Sequence, residues 1–138
     1  MKFKLPVAEL IDRLTVDHIK QFKLNDFSGD FESEIKNIIV DIEEILKEKN
    51  LKLNAEIIRP IIILSQINLH IWNLKDEMQR DEKNYDNFLK LAHQLNGTRN
   101  QIKNLMLDIF EDKSDSHKRS NFETDGLKNW FINDLKKK

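Results

Sequence analysis

The stretch Ile57–Arg80, IIRPIIILSQINLHIWNLKDEMQR, decides the fold class. Ile61, Leu64, Asn68, Ile71, Lys75 and Met78 recur at helical spacing, and Ile67, Trp72 and Leu74 widen that side. A broad apolar face of this kind belongs to an amphipathic helix that touches several neighbours. Pro60 has no N–H and suits a first helical turn, which places the start near Arg59–Pro60 and the end near Asp81. Alternatively, Asn54 caps a start ahead of the proline, with a kink at Pro60.

Asn68 is the odd residue on this face, because Leu64, Ile67, Leu69 and Ile71 around it are apolar. An unpaired buried amide costs roughly 1–3 kcal/mol, so Asn68 needs partners. It either bridges to another helix or lines a pocket.

The flanking segments repeat the helical pattern. Pro6–Phe22 carries Ala8, Ile11, Leu14, Thr15, His18 and Phe22 on one face, with Asp12, Arg13, Asp17 and Lys20 to the sides. Asn25–Gly29 is a turn by its residue types. Asp30–Lys49 carries the stripe Phe31, Ile35, Ile38, Ile42 and Ile45. After a polar turn at 81–85, a fourth helix carries Tyr85, Phe88, Ala92, Leu95, Arg99, Ile102, Met106 and Ile109. Gly97 within it either weakens the helix or admits a close neighbour. Residues 111–123 read as an exposed loop. Residues 124–138 read as a short helix that docks through Leu127, Trp130, Phe131 and Leu135.

The expectation is a single all-α domain over 1–138: an antiparallel helical bundle of four main helices plus a short C-terminal helix. Three Gly and two Pro with 34% charged residues argue against a turn-rich β fold. The chain has no Cys, which rules out disulfides, thiolate catalysis and cysteine-bound zinc, and fits a reducing compartment. A net charge of −1 gives no general reason to expect nucleic acid. The first residues, MKFKLPVAELID, turn acidic too soon for a signal peptide, and no apolar run approaches the ~20 residues of a membrane span. The expected location is cytoplasmic.

The chemistry-bearing motifs are few. Histidines 18, 70, 93 and 117 form no helical zinc pair, and His18 reads as a satisfied core histidine. Asp41 with Glu44, and Glu77 with Asp81, have the spacing of carboxylates that share a helix face, as a hard cation requires. A solvated face is the plainer explanation of them. Thr15, His18, Asn68, Lys75 and Arg99 face the interior, with Asn96 and Asp76 at the margins. Their convergence would make either a hydrogen-bond layer that fixes helix register or an anion site built on Arg99 and Lys75.

At these residues the chain resembles an uncharacterised helical family of bacteria and phages. Glu9-Leu10-Ile11-Asp12-Arg13-Leu14-Thr15-Val16 with Lys20 is similar to its ELxDKxTI-type opening helix. Asn68 through Trp72, followed by Asp76, is similar to its NxxxWxxED segment, with Lys75 where that family tends to carry an acid. Asn96 through Asn100 with Lys103 is similar to its NxxRxxxK segment. The resemblance implies a helical fold and marks Asp12, Thr15, Lys20, Asn68, Asp76, Asn96 and Arg99; it implies no activity.

Two functions follow as expectations. The first is a module that self-associates or binds a protein partner, with no cofactor and a buried polar layer. The second is a small Mg²⁺-dependent enzyme or binding protein for a phosphorylated ligand such as a nucleotide or nucleotide sugar. There Arg99 and Lys75 would hold the phosphate, with Asp12, Asp76 and Glu77 near the metal.

Overall fold

The computed structural model of the protein describes residues 5–24 and 29–110. Within them the chain forms α1 (Val7–Lys23), α2 (Asp30–Glu48), α3 (Ala55–Arg80) and α4 (Tyr85–Ile109), with one 3₁₀ turn at Glu82–Asn84 before α4. The fold is all-α, as the apolar spacing predicts. The loop expected over 111–123 and the docking helix expected over 124–138 lie outside the described residues.

Local chemistry explains where the helices start and stop. Gly29 precedes α2 at φ 107, a region open to glycine at little cost. Asn50 follows the cap of α2 at φ 52, in the left-handed region that asparagine tolerates. There Asn50 donates its amide to the Lys47 carbonyl and Leu51 donates to Leu46, which ends the helix in a Schellman motif. Leu46 and Leu51 are both half-buried against the core, the hydrophobic contact that accompanies this motif.

The start of α3 is earlier than a reading from Pro60 expects. Asn54 Oδ1 accepts from the Ile57 amide at 3.1 Å, so the capped start ahead of the proline is the one observed. Pro60 lies inside the helix with its own fixed φ already helical. The carbonyl left without an amide partner is that of Glu56, an exposed residue in the first turns, where water can serve it.

The helices pair in a definite order. The contacts Glu9–Lys103 and Asp12–Arg99 set α1 antiparallel to α4. The turn at 81–84 sets α4 antiparallel to α3, and these two make the most extensive packing in the fold. α2 folds back on α1 and docks mainly there. Val7, Ala8 and Ile11 of α1, Leu64 and Ile67 of α3, and Leu95, Ile102 and Met106 of α4 share one core with Ile38 and Ile45 of α2.

The buried face of α1 is rotated from the one its apolar pattern suggests. Leu10, Asp12 and Asp17 are buried, while His18 is exposed and Phe22 is 66% exposed. α1 is flanked by α2 on one side and by α3 and α4 on another, which leaves Thr15, His18 and Phe22 along an open groove beside α3. His18 is therefore not a core histidine.

The α1–α2 contact contains an unfavourable pair. Asp17 is 4% exposed, and its Oδ2 has no hydrogen-bond partner among the described residues. Burial pushes its carboxyl above the ordinary value of 3.8, and the carboxylate and hydrogen bond of Glu34 push it further, against the opposing pull of Lys20 and Arg13. An acid whose folded pKa is raised destabilises the fold above that raised value. The cost disappears below about 3.8, where both folded and unfolded chains are protonated. Asp17→Asn places an amide donor against Glu34. It should raise the urea midpoint at pH 7, and the gain should shrink on acidification and vanish near pH 3.5. An unchanged or lowered midpoint at pH 7 would contradict this account.

Candidate functional site

A polar layer crosses the bundle midway along α1. Asp12 is 3% exposed and Asn68 is 6% exposed, so neither can rely on water. Asn68 Nδ2 donates to Asp12 Oδ1 at 2.9 Å and to Thr15 Oγ1 at 2.7 Å. Thr15 in turn donates its hydroxyl to the Asp12 carbonyl at 2.8 Å. Arg99 reaches the same carboxylate side-on, with Nε donating to Oδ1 at 3.0 Å and Nη2 donating to Oδ2. Its Nη1 donates to Asn96 Oδ1 at 3.2 Å. Helix spacing makes this possible, because Asn96 and Arg99 are three apart on α4 and Asp12 and Thr15 three apart on α1.

Glu9, Asp12 and Lys103 belong to the layer although the apolar faces do not mark them. Lys103 is 4% exposed. Its Nζ lies 3.0 Å from Glu9 Oε1 and 3.3 Å from Asp12 Oδ2. The signal was available: Arg99 and Lys103 are four apart, hence stacked on one helix face, as are Glu9 and Asp12 at three. Thr98, fully buried beside them, returns its hydroxyl to the Gln94 carbonyl at 3.1 Å and leaves the layer alone.

The Asp12 carboxyl shows the electrostatic balance. Burial pushes it up, but the Arg99 hydrogen bonds and charge, the Asn68 amide and the Lys103 charge together hold it below 3.8.

Above the layer, α1, α3 and α4 enclose a half-open cleft of about 470 Å³. Ile19, Ile71, Trp72, Met78, Leu89 and Ala92 are among its apolar lining. Asn68, Asn96 and Arg99 stand at the layer end, and Lys20, Lys75 and His93 also line it. No carboxylate is among the described residues that line it. Lys20 Nζ sits 5.6 Å from the Phe31 ring centroid, a cation–π contact with α2. Lys75 is exposed at the rim instead of facing the interior.

The structure thus gathers Asp12, Thr15, Asn68, Asn96 and Arg99 into one layer, and puts Lys75 at the rim of the adjoining cleft. His18 belongs elsewhere, in the shallow apolar groove between α1 and α3 with Phe22 and Leu69. Among the described residues the metal reading has no donor set. Both Asp12 oxygens are taken by Asn68, Arg99 and Lys103, and the exposed Glu77 pairs at 3.8 Å with Arg80. Asp76 is half-exposed outside the cleft lining. Among the described residues, no group of three or more His, Asp or Glu side chains could hold a metal ion. Nor is any of their helices long and apolar enough to cross a membrane. Compared with protein-family models, with curated proteins and with solved structures, the chain finds no match.

Removing one partner of a buried ion pair typically costs roughly 3–5 kcal/mol, because the remaining charges stay buried without a counter-charge. Asp12→Asn should lose an amount of that order at pH 7 by chemical denaturation. A carboxyl whose folded pKa is depressed contributes fully above its unfolded value, near 3.8 here, and the contribution fades as pH falls through the folded value. The deficit of Asp12→Asn against wild type should therefore narrow below pH 3.8. A deficit independent of pH would remove the ionised carboxylate from the account.

Proposed function

We propose that the cleft between α1, α3 and α4 binds a small phosphorylated molecule, and that the polar layer below it is the structural element that holds the three helices in register. The observation that carries this reading is a charge imbalance. Arg99 and Lys103 are matched by Asp12 and Glu9 inside the layer. Lys75 lines the cleft without an ion pair to any described residue, Lys20 lines it with its Nζ over the Phe31 ring and its charge acting on Asp17 outside the lining, and no described carboxylate shares the lining. Such a recess concentrates positive potential and favours an anion. Its volume lies in the range of about 300–1,000 Å³ usual for small-molecule sites. Binding is the function proposed, and a cytoplasmic setting accords with the lack of cysteine.

The test is thermal unfolding and calorimetry with inorganic pyrophosphate, ribose 5-phosphate and nucleoside monophosphates. A ligand at a hundred times its Kd stabilises by about 2.7 kcal/mol, a readily measured rise in Tm. Lys75→Ala should keep the fold, since its side chain is exposed, and weaken binding by about tenfold, or 1.4 kcal/mol. If no phosphate shifts Tm beyond chloride at equal ionic strength, the anion reading is wrong.

A second reading is self-association or partner binding, for which one observation speaks. Phe22 is 66% exposed and Leu69 is 40% exposed in the α1–α3 groove, and Ile58 and Ile62 are 44% and 51% exposed on α3. Apolar residues in such a row are the usual mark of a protein contact. If they join two copies, sedimentation should be concentration-dependent, and Phe22→Ser should shift the protein to monomer. A wild-type protein that stays monomeric at all concentrations would sink the self-association reading.

A further inference from the structure

We infer that the occupant of the cleft is a nucleoside monophosphate, its base edge read by Asn68 and Asn96 and its phosphate held by Lys20 and Lys75. This rests on the anion reading above and adds what stands at the other end of the cleft.

The starting point is the orientation of the two amides. An asparagine side chain offers one carbonyl oxygen and one NH₂. Asn68 faces a carboxylate, so only its NH₂ can point there. Both of its hydrogens are used, one on Asp12 Oδ1 at 2.9 Å and one on Thr15 Oγ1 at 2.7 Å. The Thr15 oxygen can accept because its own hydrogen goes to the Asp12 carbonyl. What Asn68 has left is Oδ1, an acceptor. Asn96 faces a guanidinium, which has no acceptor, so its oxygen must point to Arg99 Nη1. What Asn96 has left is Nδ2, a donor. Both residues line the cleft from facing helices, at the level that Arg99 and Asp12 tie together. An acceptor and a donor presented into one cleft from facing helices complement the donor–acceptor edge that every nucleobase carries.

The distance to the lysines fits the rest of such a molecule. Lys75 is seven residues beyond Asn68 on α3, about 10 Å along the axis at 1.5 Å per residue. Lys20 is eight residues beyond Asp12 on α1, which runs the same way, about 12 Å toward the same end. A base at the amides thus places a sugar over the middle of the cleft and a phosphate near the lysines. Trp72, one turn beyond Asn68, lines the intervening wall and offers a planar apolar surface to the base or sugar. A bare phosphate or pyrophosphate would leave both the amides and this wall unused.

The experiment is calorimetry on the full chain with four nucleoside monophosphates, the matching nucleosides and ribose 5-phosphate. At least one nucleotide should bind about tenfold or more tightly than ribose 5-phosphate, since buried amides are costly to leave unpaired. Asn96→Ala should collapse that ratio toward one, whereas Lys75→Ala should weaken nucleotide and ribose 5-phosphate together. If Asn96→Ala fails to fold by circular dichroism, Asn96→Asp keeps an acceptor for Arg99 and deletes the donor; the negative charge it adds weakens nucleotide and ribose 5-phosphate alike, so their ratio still reports on the base. Ribose 5-phosphate binding as tightly as every nucleotide would overturn base recognition while leaving the anion site standing. A ratio unmoved by either Asn96 variant would also overturn it. Failure of every phosphate to bind would overturn both readings.

Discussion

The Asp12 carboxylate is the constraint from which the rest of this structure follows. It is 3% exposed, and a carboxylate taken that far from water loses several kcal/mol of solvation unless the protein replaces it. The replacement comes from two other helices. Asn68 is on α3, while Arg99 and Lys103 are on α4. α4 cannot slide by a turn past α1 without stranding a charge, and α3 cannot without breaking the Asn68 hydrogen bonds to Asp12 and Thr15. Apolar residues alone would allow such slippage, since Leu64, Ile67, Leu95 and Ile102 offer similar surfaces one turn apart. Burial drives the helices together, and Asp12 selects one register among the possible ones.

The same carboxylate divides the polar residues into two kinds. Inside the layer, the two acids Glu9 and Asp12 meet the two cations Arg99 and Lys103, and the charges cancel. Arg99 therefore cannot act as the principal phosphate ligand that its residue type first suggests. A guanidinium already bound side-on to a carboxylate has little charge to give, and pulling it away would uncover a buried acid. The cation exposed at the cleft rim is Lys75, on a long flexible stem, and Lys20 lines the cleft with its Nζ over the Phe31 ring. Residues that build the site and residues that charge it are different ones.

How far the sequence discloses this depends on whether a signal is local. The four main helices, most of the apolar faces of α2, α3 and α4, and the oddness of Asn68 are legible because periodicity and burial act within one segment. The choice between Asn54 and Pro60 as the start of α3 stays open on sequence, because it turns on whether water reaches the Glu56 carbonyl. His18 and Phe22 sit on an apolar stripe, yet they are exposed, since nothing in α1 itself says that no described helix covers that one side of its C-terminal half. Asp12 is misplaced on a flank for the same reason, because its burial is created by α3 and α4. Lys103 is the clearest omission. A lysine next to Ile102 reads as a solvated flank until Glu9 is brought to it across 94 residues of chain.

The layer also prepares the cleft. In an isolated asparagine the amide can turn either way, and a ligand must select one orientation at an entropic cost. Here the turn is decided before any ligand arrives: Asp12 fixes Asn68 by repelling its oxygen, and Arg99 fixes Asn96 by repelling its NH₂. Arg99 is held in turn by Asp12, so one buried charge orients both amides. The groups left over, one acceptor and one donor, are what the cleft can use. Preorganisation of this kind lowers the cost of ordering side chains on binding. On the proposed reading, a structural ion pair and a recognition surface are two sides of one arrangement, because the charge that fixes the helix register also fixes the two amides.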